Sequence, residues 1–221
     1  MRKKIYVHVA DDHKIVIDGV IAVLNTDKEI GISGYSLTGK EVTHWFDNPK
    51  NKADVLILDI TMPVLDGIGV LKHFKKNAVK QKVIILSSYD DIKIVQEMLA
   101  LGCRGYLTKD NAGEFIIDAI KVVAKGDQYF SPNIQKELLK VLSGQIVPDG
   151  DLPDEFLIES LSDRELEVLR LITKQYSTTE IADSLCLGIS TIDSHRKNLL
   201  KKLKVKNSVG LAMYAVKHKL V

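Results

Sequence analysis

Cysteine is scarce in this 221-residue sequence, with Cys103 and Cys186 the only two. They lie too far apart to suggest a disulfide framework and have no metal-ligand spacing around them, so they read as small buried thiols. The histidines at positions 8, 13, 44, 73, 195 and 218 are scattered, which offers no zinc-binding pattern. No apolar run approaches the roughly 18 residues that cross a bilayer. The opening stretch from Met1 to Ala10 turns polar at Asp11 before a signal-peptide core develops. The expectation is a cytoplasmic protein with no membrane partner. Internal repeats and low-complexity tracts are also lacking, which excludes solenoids and arrays.

What is present is the composition of a packed soluble protein, and the length suits one large domain or two small ones. The two ends differ in charge. Residues 161–221 hold 11 Lys and Arg against 6 Asp and Glu, leaving 20 against 23 for residues 1–160. An acidic front and a basic back point to different partners.

Along the first part, short apolar runs alternate with amphipathic stretches, the pattern of a parallel sheet with helical crossovers. Strands are expected at 5–10, 30–35, 55–58, 83–86 and 105–107. The runs Val55-Leu56-Ile57-Leu58 and Val83-Ile84-Ile85-Leu86 are apolar throughout, as central strands buried on both faces should be. Helices are expected near 14–24, 39–47, 66–76, 91–101 and 112–125, giving a doubly wound, five-stranded parallel α/β domain. A further helix at 132–142 opens on Pro132 and closes at Gly144. Residues 143–155, with two prolines, two glycines and four acids, read as a linker. Four helices follow, near 163–174, 178–185, 190–204 and 207–218.

In a doubly wound sheet the functional groups collect at the carboxyl ends of the strands. Asp11 and Asp12 follow the first strand, Asp59 the third, and Lys109 the fifth, so three carboxylates and a lysine converge on one rim. Crowded carboxylates cannot all stay ionised unaided. A divalent cation resolves the conflict, and Mg²⁺ suits a site of carboxylates, a carbonyl and waters. The same cation would screen an incoming phosphoryl group for attack by a carboxylate oxygen, which proposes phosphoryl chemistry at Asp59. Ser87, ending the fourth strand, and Lys109 offer donors to phosphoryl oxygens. Each residue alone reads more simply as a cap, a turn or a solvated charge. Their shared placement at successive strand ends reverses that judgement.

Asp11-Asp12-His13, Leu58-Asp59-Ile60-Thr61-Met62-Pro63 with Asp66-Gly67, Leu86-Ser87-Ser88 and Gly105-Tyr106-Leu107-Thr108-Lys109 resemble the receiver domain of two-component response regulators, over residues 4–126. The resemblance implies a flavodoxin-like fold and phosphoacceptance at Asp59. It also implies Mg²⁺ held by Asp12, Asp59 and the Thr61 carbonyl, with Asp11 helping through water. Ser87 and Tyr106 would form the switch pair: the hydroxyl moves toward the phosphoryl group, the aromatic turns inward, and the face of the fourth helix, fifth strand and fifth helix changes. Read without the family, Tyr106 is a half-buried strand aromatic.

In the basic part, Ser162 and Glu165 form a capping-box pair that starts a helix with Leu166, Leu169 and Ile172 on one stripe. A short helix with the small Ala182 and a turn containing Gly188 then lead into a longer helix, the elements of a helix-turn-helix. At about 100° per residue, Ile192, Leu199 and Leu203 fall on one side of the longer helix. Asp193, Lys197, Lys201 and Lys204 fall opposite, with Ser194 at the edge. His195 reads as a packing or phosphate-positioning residue and Arg196 as a phosphate contact. Residues 158–221 resemble the LuxR-type helix-turn-helix of NarL/FixJ regulators through Leu161-Ser162, Arg164-Glu165, Val168-Leu169, Glu180-Ile181-Ala182, Leu185, Thr191-Ile192, His195 and Lys202-Leu203. By position the family assigns base or groove contacts to Asp193, Ser194 and Lys197, and backbone contacts to Thr191 and Lys201. Asp193 stands where a basic residue is common, so the resemblance does not carry over a preferred DNA sequence.

The expected organisation is a receiver at 1–128, a helix and linker at 129–157, and an all-α four-helix DNA-binding domain at 158–221. The expected function is transcriptional regulation, switched when a sensor histidine kinase phosphorylates Asp59, with a homodimer on double-stranded promoter DNA. Two rivals stay open on sequence. One is a Mg²⁺-dependent phosphohydrolase, although Thr61 stands where a second acid would help. The other is a constitutive DNA-binding protein whose first domain is a scaffold.

Overall fold

The computed structural model describes residues 4–145 and 152–220. Of the expected linker, residues 146–151 lie outside the described residues, as do 1–3 and 221 at the ends of the expected domains. The chain divides into two compact units, residues 1–152 and 153–221.

The first unit is a parallel sheet in the order β2-β1-β3-β4-β5-β6. The strands are β1 (Ile5–Ala10), β2 (Ile30–Ser36), β3 (Val55–Leu58), β4 (Val83–Ser87), β5 (Gly105–Thr108) and β6 (Tyr129–Phe130). The helices are α1 (Lys14–Leu24), α2 (Gly39–Asp47), α3 (Gly67–Lys76), α4 (Ile92–Ala100), α5 (Ala112–Lys125) and α6 (Pro132–Leu142). As their unbroken apolar runs require, β3 and β4 are central and buried at every position. One core cluster joins Val7, Val9, Ile57, Ile84 and Leu107 of the strands to Ile17, Val20 and Leu24 of α1 and Ile116, Ile120 and Val123 of α5.

The sheet has six strands, not the expected five. Two residues are too short to carry an alternating pattern, so β6 left no signal. Its cause is the left-handed C-cap Gly126 (φ 107°), which ends α5 and turns the chain back. Tyr129 and Phe130 then pair with Gly105 and Tyr106, covering the edge of β5.

The second unit is helical: α7 (Asp154–Glu159), α8 (Asp163–Thr173), α9 (Thr178–Ser184), α10 (Ile189–Lys202) and α11 (Ser208–Lys217). It has five helices among the described residues instead of four, because Asp154 and Glu155 open α7 where a linker was expected. Their charges suit a helix N-terminus. Phe156 and Leu157 are buried, and the Tyr214 hydroxyl meets Asp154 Oδ1 at 2.9 Å. Six residues are too few for a free helix, so this burial decides the local structure.

Capping boxes start α8 at Ser162/Glu165 and α9 at Ser177/Glu180. The buried stripe of α8 runs through Glu165, Val168, Leu169 and Ile172, with Leu166 only half-buried. The buried Glu165 carboxylate is satisfied by Lys202 Nζ at 3.0 Å and by its cap bonds to Ser162. Ile192, Leu199 and Leu203 are buried together, as the helical periodicity requires. Cys103 is buried, whereas Cys186 is exposed, contrary to expectation. Cys186 is a left-handed residue (φ 53°) in the turn between α9 and α10, with its Sγ 3.9 Å from the Asp183 carbonyl.

Candidate phosphoacceptor site and nucleic-acid interface

Register places the first site. Ala10 pairs with Leu58, Leu58 with Ile85, and Ser87 with Thr108, so the residues that follow these strands share one rim. The Asp59 amide donates to the Ala10 carbonyl (2.8 Å), which sets Asp59 beside Asp11. Both carboxylates are about 1% exposed.

Lys109 Nζ bridges the pair, at 2.7 Å from Asp11 Oδ2 and 3.1 Å from Asp59 Oδ2. Asp59 Oδ1 accepts from the Ile60 amide (2.8 Å). Oδ2 therefore faces the lysine, with the Thr61 hydroxyl at 3.5 Å. Burial pushes the Asp59 carboxyl up to about 6; Lys109 opposes that push and the Asp11 charge adds to it. Burial pulls Lys109 down, but the attraction of Asp59 and Asp11 outweighs it and the ammonium is held above its ordinary range. Asp59 is thus a carboxyl stripped of water, its charge opposed by burial and upheld by Lys109.

Asp12 is partly exposed and meets His13 Nδ1 at 2.9 Å. The Asp11, Asp12 and His13 donor atoms lie within 4.8 Å of one another. His13 therefore adds an imidazole beside the two acids. Its adjacency to Asp12 was the available signal.

Gly67 explains how the loop after β3 closes on the site. Its amide donates to the Ile60 carbonyl (2.8 Å), and a Cβ there would lie 2.5 Å from the Asp59 carbonyl oxygen. Asp66 caps α3 by accepting from the Gly69 amide (2.7 Å). The Asp66-Gly67 pair is thus a device for shape.

Ser87 is buried and accepts from the Tyr89 amide (3.1 Å). Tyr106 is fully buried, not half-buried. Its hydroxyl donates to the Tyr89 carbonyl (2.7 Å) and hydrogen-bonds with Ser87. Burial raises the phenol pKa, so it stays protonated and keeps donating. The ring is turned inward and joins the site through the β4–α4 loop. That loop contact had no signal in sequence.

In the second unit, α10 leaves Thr191, Asp193, Ser194, Lys197 and Lys201 exposed, opposite its buried stripe. Ser194 donates to the Ser190 carbonyl (2.9 Å) within the helix. Arg196 turns elsewhere: its guanidinium reaches Thr178 Oγ1 (3.4 Å) on α9 and Ser208 Oγ (2.5 Å) on α11. His195 is half-buried beside it.

Comparison with known proteins decides the family. Residues 7–121 match the response regulator receiver domain, and residues 159–215 match the luxR family of bacterial regulatory proteins. The chain belongs to the two-component response regulators. It is a DNA-binding transcriptional regulator that joins a receiver to a LuxR-type domain, a regulator and not a catalyst of turnover. It is 34% identical to the transcriptional regulatory protein MctR of Rhizobium johnstonii, covering 100% of this chain and 97% of that protein. RcsB of Salmonella enterica serovar Typhimurium, bound to a promoter in the presence of phosphomimetic BeF₃⁻, is 29% identical with a TM-score of 0.58 over 96% of this chain and 98% of that one. A structure of two RcsB dimers on two parallel DNAs is 28% identical, with a TM-score of 0.58, covering 97% and 98% of the respective chains. The Asp-rich rim is the kind of pocket in which receivers hold a divalent cation, and sensor kinases and promoter DNA are the partners of the family. Among the described residues no helix is long and apolar enough to cross a membrane.

Proposed function

We propose that Asp59 is the phosphoacceptor and that its phosphorylation controls DNA binding by the second unit. The reading rests on one observation above all: Lys109 Nζ within 3.1 Å of both Asp11 and Asp59 at the carboxyl rim of the sheet. The Asp59 carboxylate oxygen forms the new O–P bond while the bond from phosphorus to the donor breaks and its electron pair leaves with the donor. That donor is a phosphohistidine of a sensor kinase, or a small acyl phosphate.

The residues suit Mg²⁺, since the donors are oxygens: the Asp12 and Asp59 carboxylates and the Thr61 carbonyl, with Asp11 acting through water. When bound, the cation supplies neutralisation of the charge shared by carboxylates and phosphoryl oxygens. Lys109 then pairs with one phosphoryl oxygen, and the Ser87 hydroxyl, released from Tyr89, donates to another. Tyr106, already inward and hydrogen-bonded with Ser87, is then held there, which fixes the face formed by α4, β5 and α5. Thr61 stands where a second acid would help a phosphohydrolase, which favours a phosphoacceptor over an enzyme of many turnovers.

The α10 face meets a major groove: Asp193, Ser194 and Lys197 at base edges, Thr191 and Lys201 at phosphates. Arg196 contributes by bracing α10 against α9 and α11. The regulator binds as a dimer to two-fold related half-sites. Supporting this, Val209, Met213 and Val216 lie exposed at helical spacing on α11, an apolar stripe available for a second copy. We take the receiver as 1–128, followed by a connecting helix and linker, and the DNA-binding domain as the second compact unit, 153–221, in a cytoplasmic protein.

The test is fluorescence anisotropy of a promoter fragment with wild type and Asp59→Ala, each with and without acetyl phosphate and Mg²⁺. Acetyl phosphate should tighten binding by wild type alone. Unchanged affinity in all four cases would overturn phosphorylation control.

A further inference from the structure

The strand-end site contains a nitrogen donor beside its carboxylates. His13 is the N-cap residue of α1, yet its side chain makes no capping hydrogen bond. Its backbone is fixed from both sides. The His13 amide donates to Asp11 Oδ1 (2.8 Å), and the His13 carbonyl accepts from the Val16 amide (2.9 Å). The ring projects toward the acids, with Nδ1 at 2.9 Å from Asp12 Oδ1 and 3.4 Å from Asp11 Oδ1.

One donor atom from each of Asp11, Asp12 and His13 lies within 4.8 Å of the other two. Opposite donors around a cation with bonds of about 2.1 Å stand about 4.2 Å apart, so small side-chain rotations bring Asp12 and His13 into one coordination sphere, with Asp11 a water away. From this juxtaposition of an imidazole with the acidic rim we infer that His13 Nδ1 is an additional ligand of the divalent cation, one that biases the site toward Mn²⁺ and the later divalent transition ions over Mg²⁺. The inference rests on the proposed cation site and adds the ion preference.

The chemistry follows from donor type. Mg²⁺ is hard, holds its waters and gains little from imidazole. Later divalent ions accept imidazole readily, in rising order from Mn²⁺. A nitrogen donor therefore raises affinity unequally, and removing it should lower affinity unequally. If His13 served only as a cation paired with Asp12, it would compete with every metal alike, and its removal would tighten binding of both ions.

The experiment is direct metal binding to the full chain, with MnCl₂ followed by the loss of the free-ion electron paramagnetic resonance signal and MgCl₂ followed by competition against it. His13→Ala should weaken Mn²⁺ binding about tenfold, the lower end of what a ligand-shell change costs, and change Mg²⁺ binding less than about twofold. Asp12→Asn should weaken both ions strongly. Equal change for the two ions in His13→Ala, in either direction, or no change in either, would overturn the role of His13. Undiminished binding of both ions to Asp12→Asn would instead overturn the cation site itself.

Discussion

The receiver hides its chemistry and the DNA-binding unit displays it. Asp11, Asp59, Ser87 and Tyr106 are buried and come from the carboxyl ends of β1, β3 and β4 and from within β5. Thr191, Asp193, Ser194, Lys197 and Lys201 are exposed and come from one face of one helix. The difference follows from the tasks. A nucleophilic carboxylate gains reactivity by losing water, which requires convergence from distant positions and a lysine to hold the charges. A surface that meets phosphates works through charge in solvent, and a single amphipathic helix provides it. The receiver is thus sensitive to buried charge and pH, and the second unit's readout is sensitive to salt.

Both units nevertheless depend on buried polar residues, and the largest predicted effect tests the exception in the exposed unit. Lys202 holds the buried Glu165 carboxylate and also the Ser160 carbonyl (2.5 Å). Lys202→Ala should destabilise the second unit by about 3 kcal/mol, by leaving a buried charge with a missing partner. Urea unfolding followed by circular dichroism measures this. The fluorescence of Trp45, the single tryptophan and a receiver residue, should show an unchanged transition.

A somewhat smaller or similar effect is expected from His8, whose imidazole is buried against Ser36 Oγ (2.8 Å) and the Trp45 ring. Burial lowers its pKa from 6.5 to about 4. The unfolded chain therefore takes up the proton first as pH falls. The receiver should keep full stability from this group above pH 6.5 and lose about 3 kcal/mol progressively toward pH 4. His8→Asn should flatten that slope in urea titrations read by Trp45 fluorescence. The second unit, followed by circular dichroism, should not share it.

Salt sharpens the contrast further. Lys197→Ala and Lys201→Ala should each lower DNA affinity, and where the lost contact is to a phosphate the slope of log affinity against log salt should flatten by about one. Lys109→Ala, a change at the buried site, should leave that slope unaltered for the unphosphorylated protein. The smallest expected effect is at Arg196. Arg196→Ala should cost the second unit on the order of 1 kcal/mol through lost hydrogen bonds while leaving the salt slope in place. A slope reduced by one would move Arg196 from brace to phosphate contact.

Much of this organisation was legible in sequence because it rests on period and position. The runs at 55–58 and 83–86 identified the sheet centre, and acids directly after strands identified the rim. The 100° arithmetic separated Ile192, Leu199 and Leu203 from Lys197 and Lys201. What escaped was structure fixed by tertiary contact. Strand β6 exists because Gly126 turns two residues onto an open edge, and α7 because Phe156 and Leu157 find a core. Glu165 was legible as a cap but not as a buried partner of Lys202, which is 37 positions away. Arg196 lies at the border of the polar face, where an angle cannot say whether a long side chain turns to solvent or to neighbouring helices. Tyr106 was read from the family as an inward switch and from its strand as half-buried; its hydroxyl contact with the Tyr89 carbonyl depends on a loop path that periodicity does not encode.

The central claim is that the carboxylate gripped by Lys109 accepts a phosphoryl group. Intact-protein mass spectrometry after incubation with acetyl phosphate and Mg²⁺ tests it most directly. Wild type should gain the mass of a single phosphoryl group, lost on treatment with hydroxylamine as an acyl phosphate must be, and Asp59→Asn should gain none. Equal phosphorylation of Asp59→Asn, or no mass gain in wild type, would contradict the account.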